Sequence, residues 1–246
     1  MASLSRLFLV FLTTVFLASC HFTEEVRLEE DGSGSISLSF DGSQLLSLTD
    51  SAEAANKVRK DSVILFSEVL DAKRDSIRRL PADEQARLEA LRPYSLRMIE
   101  DHQAGELRFI LSREFEDIAG LGDVLNAFQD ASILEPGEEN LSMNSSGEAY
   151  PSTEVAYSFS GNRFTRRGYV VDSALQRQRL DSLKSSEAFL EESTYKLQLH
   201  FPRRIKSASL EGATLSMDGK TLYYEVGFLD YIKNPEKLNL EVLLED

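Results

Sequence analysis

One thiol, three imidazoles and one tight run of acid and hydroxyl groups are the side chains here whose types and spacing could carry chemistry. Asp31-Gly-Ser33-Gly-Ser35 would let a carboxylate and two hydroxyls converge on a Mg²⁺ ion, provided a buried apolar strand precedes it and a helix follows. Instead Val26-Arg-Leu-Glu-Glu30 precedes it and the alternating Ile36-Ser-Leu-Ser-Phe40 follows. A glycine-rich hairpin turn accounts for the same residues, and no metal site is expected. His21 adjoins the cysteine, His102 falls in a turn and His200 lies on the polar side of a strand. None has a partner at the spacing of H-E-x-x-H, so all three are expected in solvent. A G-x-S-x-G elbow is missing, and Gly120-Leu-Gly122 lacks the third glycine of a dinucleotide loop. Carboxylates are plentiful, but which of them are useful depends on burial that spacing does not encode. The expectation is a non-enzyme with no cofactor.

Cys20 is the only cysteine, and it closes an apolar run. Met1–Arg6 carries one positive charge, and Leu7–Leu17 supplies eleven mostly apolar residues. Spanning a bilayer takes roughly 20 such residues, whereas eleven suit the apolar part of an export signal. The run ends in Leu17-Ala18-Ser19-Cys20, which resembles the lipobox of bacterial lipoproteins. That resemblance implies a diacylglycerol on the Cys20 sulfur, cleavage just before Cys20 and acylation of the new amine. Residues 1–19 are then a signal peptide, residues 20–25 a lipidated tether and residues 26–246 an envelope domain, with a division near 130–153 as the alternative to one unit. Buried lipid contributes about 0.8 kcal/mol per CH₂, so two or three chains anchor a protein stably. In the sorting scheme that goes with such lipoproteins, Asp directly after the cysteine retains the protein at the inner membrane. His21 stands there instead, which favours the outer membrane, and Glu24-Glu25 bears weakly on surface display.

Asp-Ser-apolar recurs at Asp50-Ser51-Ala52, Asp61-Ser62-Val63, Asp75-Ser76-Ile77, Asp172-Ser173-Ala174 and Asp181-Ser182-Leu183. This resembles an O-glycosylation signal that one large group of Gram-negative bacteria uses on exported proteins, which implies candidate glycans on Ser51, Ser62, Ser76, Ser173 and Ser182. Asp and Ser also gather at helix starts, where their oxygens cap free amides. That account serves Asp172 and fits Asp75 and Asp181 less well, since both fall within expected helices.

Cleavage before Cys20 leaves 227 residues with 26 basic and 41 acidic side chains, a net charge of −15. That balance excludes nucleic acid, which is held through clustered Lys and Arg, and electrostatic adhesion to anionic lipid. No second apolar run reaches spanning length, so the lipid on Cys20 is the expected membrane contact. An exported chain with one lipidated cysteine has no disulfide, and its fold must rest on its core.

The elements that position these residues are short. Val26–Glu29 and Ile36–Phe40 form a hairpin, and Asp61–Phe66 is a strand. A helix follows with Ser67 as its cap, and Pro81 opens another. Tyr94–Ile99 and Leu107–Phe115 make a second hairpin across His102–Glu106, and Ile118–Phe128 switches to helical spacing. After a loop at 130–153 come strands Val155–Phe159 and Arg163–Val171, a helix capped by Asp172 running to about residue 191, and strand Tyr195–Phe201. Ala213–Met217 and Thr221–Phe228 pair across Asp218-Gly219, and Leu238–Leu244 ends the chain. About ten strands and four helices, with antiparallel neighbours dominating, give an α+β fold of hairpin-built sheets.

With the lipobox, the Asp31-Gly-Ser hairpin and the stretch Asp61-Ser-Val-Ile-Leu-Phe-Ser-Glu-Val-Leu70 through Leu80-Pro81, Glu84-Gln85, Leu88 and Leu91, the chain resembles a group of uncharacterised Gram-negative lipoproteins. More distantly it resembles the LppM-type lipoprotein domain, which also starts with an extended hairpin after the lipid cysteine and ends in β-structure. Both resemblances imply location and fold and offer no catalytic residue. The leading expectation is a membrane-anchored envelope lipoprotein whose domain binds a protein or small-molecule partner or serves as structure. The alternatives are a carrier or sensor of a hydrophobic ligand, which needs an apolar pocket of ~300–1,000 Å³, and a glycosidase-like enzyme with two carboxylates ~5–9.5 Å apart.

Overall fold

A computed structural model describes residues 20–46, 58–133 and 151–246. In chain order the strands are β1 (His21–Leu28), β2 (Gly34–Asp41), β3 (Lys60–Leu65), β4 (Ser95–Asp101), β5 (Glu106–Phe115), β6 (Thr153–Ser160), β7 (Arg163–Val170), β8 (Thr194–His200), β9 (Ile205–Ala208), β10 (Thr214–Leu215), β11 (Thr221–Gly227) and β12 (Leu240–Leu244). The helices are α1 (Ser43–Leu46), α2 (Phe66–Ala72), α3 (Arg74–Ile77), α4 (Ala82–Glu89), α5 (Val124–Ile133), α6 (Ser173–Leu183), α7 (Glu187–Leu190) and α8 (Phe228–Lys233). The fold is α+β, as the alternating segments predict.

Eight strands form a large sheet in the order β10-β11-β8-β1-β2-β5-β4-β3, and four form a second in the order β6-β7-β12-β9. Every pairing is antiparallel except that of β1 with β8, which sets His21 beside Thr194 and Arg27 beside His200. The inner face of β1 buries Phe22, Glu24, Val26 and Leu28, and that of β8 buries Tyr195, Leu197 and Leu199. Facing them, the second sheet buries Val155, Tyr157, Phe164, Arg166, Leu240, Val242 and Leu244. These apolar residues share one core with Phe66, Leu70, Leu88 and Leu91 of the α2–α4 region. Rings fill the seam: Phe22 stacks on Phe228 at 4.4 Å, and Tyr195 meets Tyr231 at the same spacing.

Residues 21–25, expected as tether, are instead the first five residues of β1. The strand is disguised because one of its inward positions carries a charge, Glu24, where an apolar residue would have completed the alternation. The expected helix over 118–128 is interrupted: a 3-10 turn spans Ile118–Gly120, and Asp123 then caps α5 by accepting from the amides of Leu125 and Asn126 at 2.9 and 3.2 Å. The cap expected at Ser67 does not form, since α2 starts at Phe66 with no side-chain cap. Asp172 does cap α6, which ends at Leu183 rather than near residue 191. Of the 130–153 loop, residues 134–150 lie outside the described residues.

Gly34 opens β2 at the foot of the first hairpin, opposite Leu28. A β-carbon there would run into the backbone oxygen of Arg27 and come within 2.8 Å of the Phe115 ring. Gly34→Ala is therefore expected to destabilise by on the order of 1–3 kcal/mol, because the packed neighbours must shift to admit the added carbon. Gly120→Ala, where an added β-carbon meets nothing within 4 Å, should stay within about 0.5 kcal/mol of the parent in urea unfolding.

Candidate functional site

The chemically distinctive place among the described residues is a buried ion pair joining the two sheets. Glu24 of β1 and Arg166 of β7 are 1% and 0% exposed. The guanidinium grips the carboxylate in a fork, Nε to Oε1 at 3.0 Å and Nη2 to Oε2 at 2.8 Å. Tyr157 donates to Oε1 and Tyr195 to Oε2, each at 2.6 Å. The remaining Arg166 contacts run from Nη2 to the Tyr231 hydroxyl at 3.2 Å and from Nη1 to the Leu238 carbonyl at 3.3 Å. Six elements thus meet at this pair: β1, β6, β7, β8, α8 and the 3-10 turn Pro235–Leu238.

Burial alone would push the Glu24 carboxyl up. The Arg166 charge, with hydrogen bonds from Arg166, Tyr157 and Tyr195, outweighs it and holds Glu24 below the ordinary carboxylate range. Burial, reinforced by the Glu24 charge, raises Tyr157 and Tyr195 well above the ordinary phenol value, so both remain donors. Asp123 is shifted the other way. Burial pushes it up to about 6 despite the Arg166 charge and the two capped amides, and the Glu24 charge adds to the rise.

Two carboxyls driven apart in pKa resemble an acid–base pair. The hydrogen bonds assign a different role to this one: each Glu24 oxygen already takes two donors, which leaves no lone pair aimed at a substrate. A small cavity of about 50 Å³ lies beside Tyr231, walled in part by Leu125, Asn126, Gln176, Leu183 and Phe228. Its polar rim is turned on itself, with Ser152 donating to Gln176 at 2.6 Å, Gln176 to the Ile232 carbonyl at 2.5 Å and Asn126 to the Thr153 carbonyl at 2.8 Å. Hollows of about 870 Å³ by the β1–β2 turn and about 410 Å³ over β8 and β11 are open grooves at the surface.

The residues singled out in the sequence lie apart from this cluster. Cys20 is buried, its carbonyl accepts from the Thr194 amide at 3.2 Å, and burial, then Asp41, pushes its thiol up to about 11. The Asp31 carboxylate accepts from the Ser33 amide at 3.0 Å and hydroxyl at 2.6 Å, so it holds the hairpin turn. The histidines are less exposed than expected. The ring of His102 is 5% exposed and lies 2.5 Å from Glu100, because its turn folds back along β4. His200 contacts Glu25 at 3.0 Å, and His21 contacts Thr194 at 2.8 Å. Ser62, Ser76, Ser173 and Ser182 are all exposed, and Ser51 lies outside the described residues.

Sequence reasoning missed Glu24 and Arg166, though a signal existed. Each is an isolated charge at an inward position of an alternating segment, Phe22-x-Glu24-x-Val26 and Phe164-x-Arg166. Two opposite charges misplaced in this way are a candidate pair.

Removing one partner strands the other in the core, which costs about 3–5 kcal/mol. Glu24→Gln and Arg166→Met are each expected to lose that much in urea unfolding. The double variant should lose less than the sum by about 1–3 kcal/mol; strict additivity would show that the two side chains do not act together. Asp123 contributes the opposite pH dependence. Its folded pKa of about 6 lies above the ordinary 3.8, so its charge destabilises the fold above pH 6, and that penalty fades as pH falls toward 4. Asp123→Asn keeps a capping oxygen and should gain about 1–2 kcal/mol at neutral pH. The gain should vanish near pH 4, and a variant less stable than the parent at pH 7.5 would contradict this.

No family model matches the chain, and no curated protein matches it. Among solved structures, the chain is similar to the NMR structure of the folded domain of the Mycobacterium tuberculosis LppM protein. That match has 9% sequence identity and a TM-score of 0.37, and covers 92% of this chain and 91% of that one.

Proposed function

We propose that the chain is an exported lipoprotein, anchored to the envelope membrane by acyl chains on Cys20, and that the domain beyond it is a non-enzymatic binding or structural module. The observation that carries this reading is the run Leu7–Leu17 closing on Leu17-Ala-Ser-Cys20, with the only cysteine at the position the lipid requires. Among the described residues no helix is long and apolar enough to cross a membrane, and the reading assigns attachment to the lipid. Saturation of Glu24 by four donors supports a non-catalytic role for this buried ion pair. Outer-membrane sorting follows from His21 after the cysteine, and glycans on exposed Ser62, Ser76, Ser173 and Ser182, together with Ser51, belong to the same reading.

Expression in a Gram-negative host tests the anchor. The native protein should sediment with outer membranes and show an intact mass of residues 20–246 plus acyl chains, with further hexose-sized increments where glycans are attached. Cys20→Ala should appear in the soluble envelope fraction as a folded protein, since alanine keeps the carbonyl that holds Thr194. A native mass without acyl chains, or a Cys20→Ala protein that stays with the membrane, would sink the reading.

A further inference from the structure

We infer that the domain meets the bilayer in a fixed orientation, with the end of the large sheet at which β1 begins resting on the lipid headgroups. The inference rests on the lipid reading of Cys20 and adds which surface touches the membrane. A lipoprotein domain ordinarily swings on the spacer between its cysteine and its first ordered element. Here that spacer is missing: β1 starts at His21, and the Cys20 carbonyl already accepts from the Thr194 amide. His21 pairs across the ladders with Asp41 on one side and Thr194 on the other. Lipid leaving Cys20 therefore leaves from the sheet itself.

The ladders define the rest of that end. Asp41 stands opposite Arg108, Asp101 opposite Glu106, and Lys60 opposite Glu100. The membrane-facing rim thus includes the β4–β5 turn at 102–105, the start of β3 and the segment just before β8. The rim carries three basic side chains set beside carboxylates, together with the further acidic residues Asp41, Glu191 and Glu192. Arg59 lies 3.9 Å from Asp101, Lys60 3.9 Å from Glu100, and Arg108 3.5 Å from Glu106. At the opposite end stand the β1–β2 turn and the β10–β11 turn, where Met217 is fully exposed. Eight strand residues at ~3.3 Å each put about 25 Å between the two ends, several times the reach of a headgroup quencher.

Lipid on Cys20 leaves an introduced cysteine as the only free thiol, which gives a clean test. The near positions are Gln103→Cys and Glu192→Cys and the far ones are Glu30→Cys and Met217→Cys, all exposed in the parent. Each full-length lipidated variant is labelled with bimane and reconstituted into phosphatidylethanolamine–phosphatidylglycerol vesicles containing a nitroxide-headgroup lipid. Both near labels should be quenched several-fold more than both far labels, and the contrast should disappear when about ten Gly/Ser residues are inserted between Cys20 and His21. Equal quenching at all four positions, in protein whose mass includes acyl chains, would overturn the fixed orientation and leave the lipid anchor standing. Protein without acyl mass that fails to float with the vesicles would overturn both.

Discussion

Burying a carboxylate and a guanidinium between two sheets is costly, since the penalty is still several kcal/mol per ion after relaxation. It is tolerable here because the geometry leaves little unsatisfied. The fork of Arg166 and the hydroxyls of Tyr157 and Tyr195 give Glu24 four hydrogen bonds. Such a pair adds less to net stability than to uniqueness. A one-residue slip of β1 would turn Glu24 to the outer face and bring its neighbours inward, leaving Arg166 alone in the core. The register of β1, and with it the seating of β1 between β8 and β2, is held by that contact together with the inward Phe22, Val26 and Leu28.

The pair also explains what the sequence conceals. Hairpins were legible wherever one face is apolar and the other wet: Val26–Phe40 and Tyr94–Phe115 show it, and Val155–Val171 shows it on either side of the inward Arg166. Phe22-Thr-Glu24-Glu-Val26 fails that test at Glu24, and so the start of β1 reads as tether. Its parallel pairing with β8 joins residues some 170 positions apart, a distance at which local periodicity carries no information. Asp123 shows the same limit in reverse. The apolar spacing from Ile118 to Phe128 favours a continuous helix, but an Asp side chain that captures two amides starts α5 afresh.

The two perturbed carboxyls pull on stability in opposite directions. Glu24, held low, contributes stability that is present above the ordinary carboxylate range and lost as pH falls through its folded pKa. Asp123, pushed up to about 6, relieves its own penalty over the interval just above that. Between roughly pH 4 and 6 the gain at Asp123 comes before the loss at Glu24, which places the seam's most favourable protonation on the acid side of neutrality.

The same seam bears on anchoring. On the lipid reading, any drag on the domain reaches it through Cys20 and so along β1. An edge strand pulled from its end can peel away one hydrogen bond at a time. β1 lies inside the sheet, laddered with β2 over eight residue pairs and with β8 over seven, so a pull along its axis loads both ladders in shear. Before β1 can slide by one residue, Glu24 must also leave Arg166, Tyr157 and Tyr195 inside the core. On that reading, a charge that would be a liability in an ordinary strand is well placed in β1, because it resists the displacement that tension there would cause.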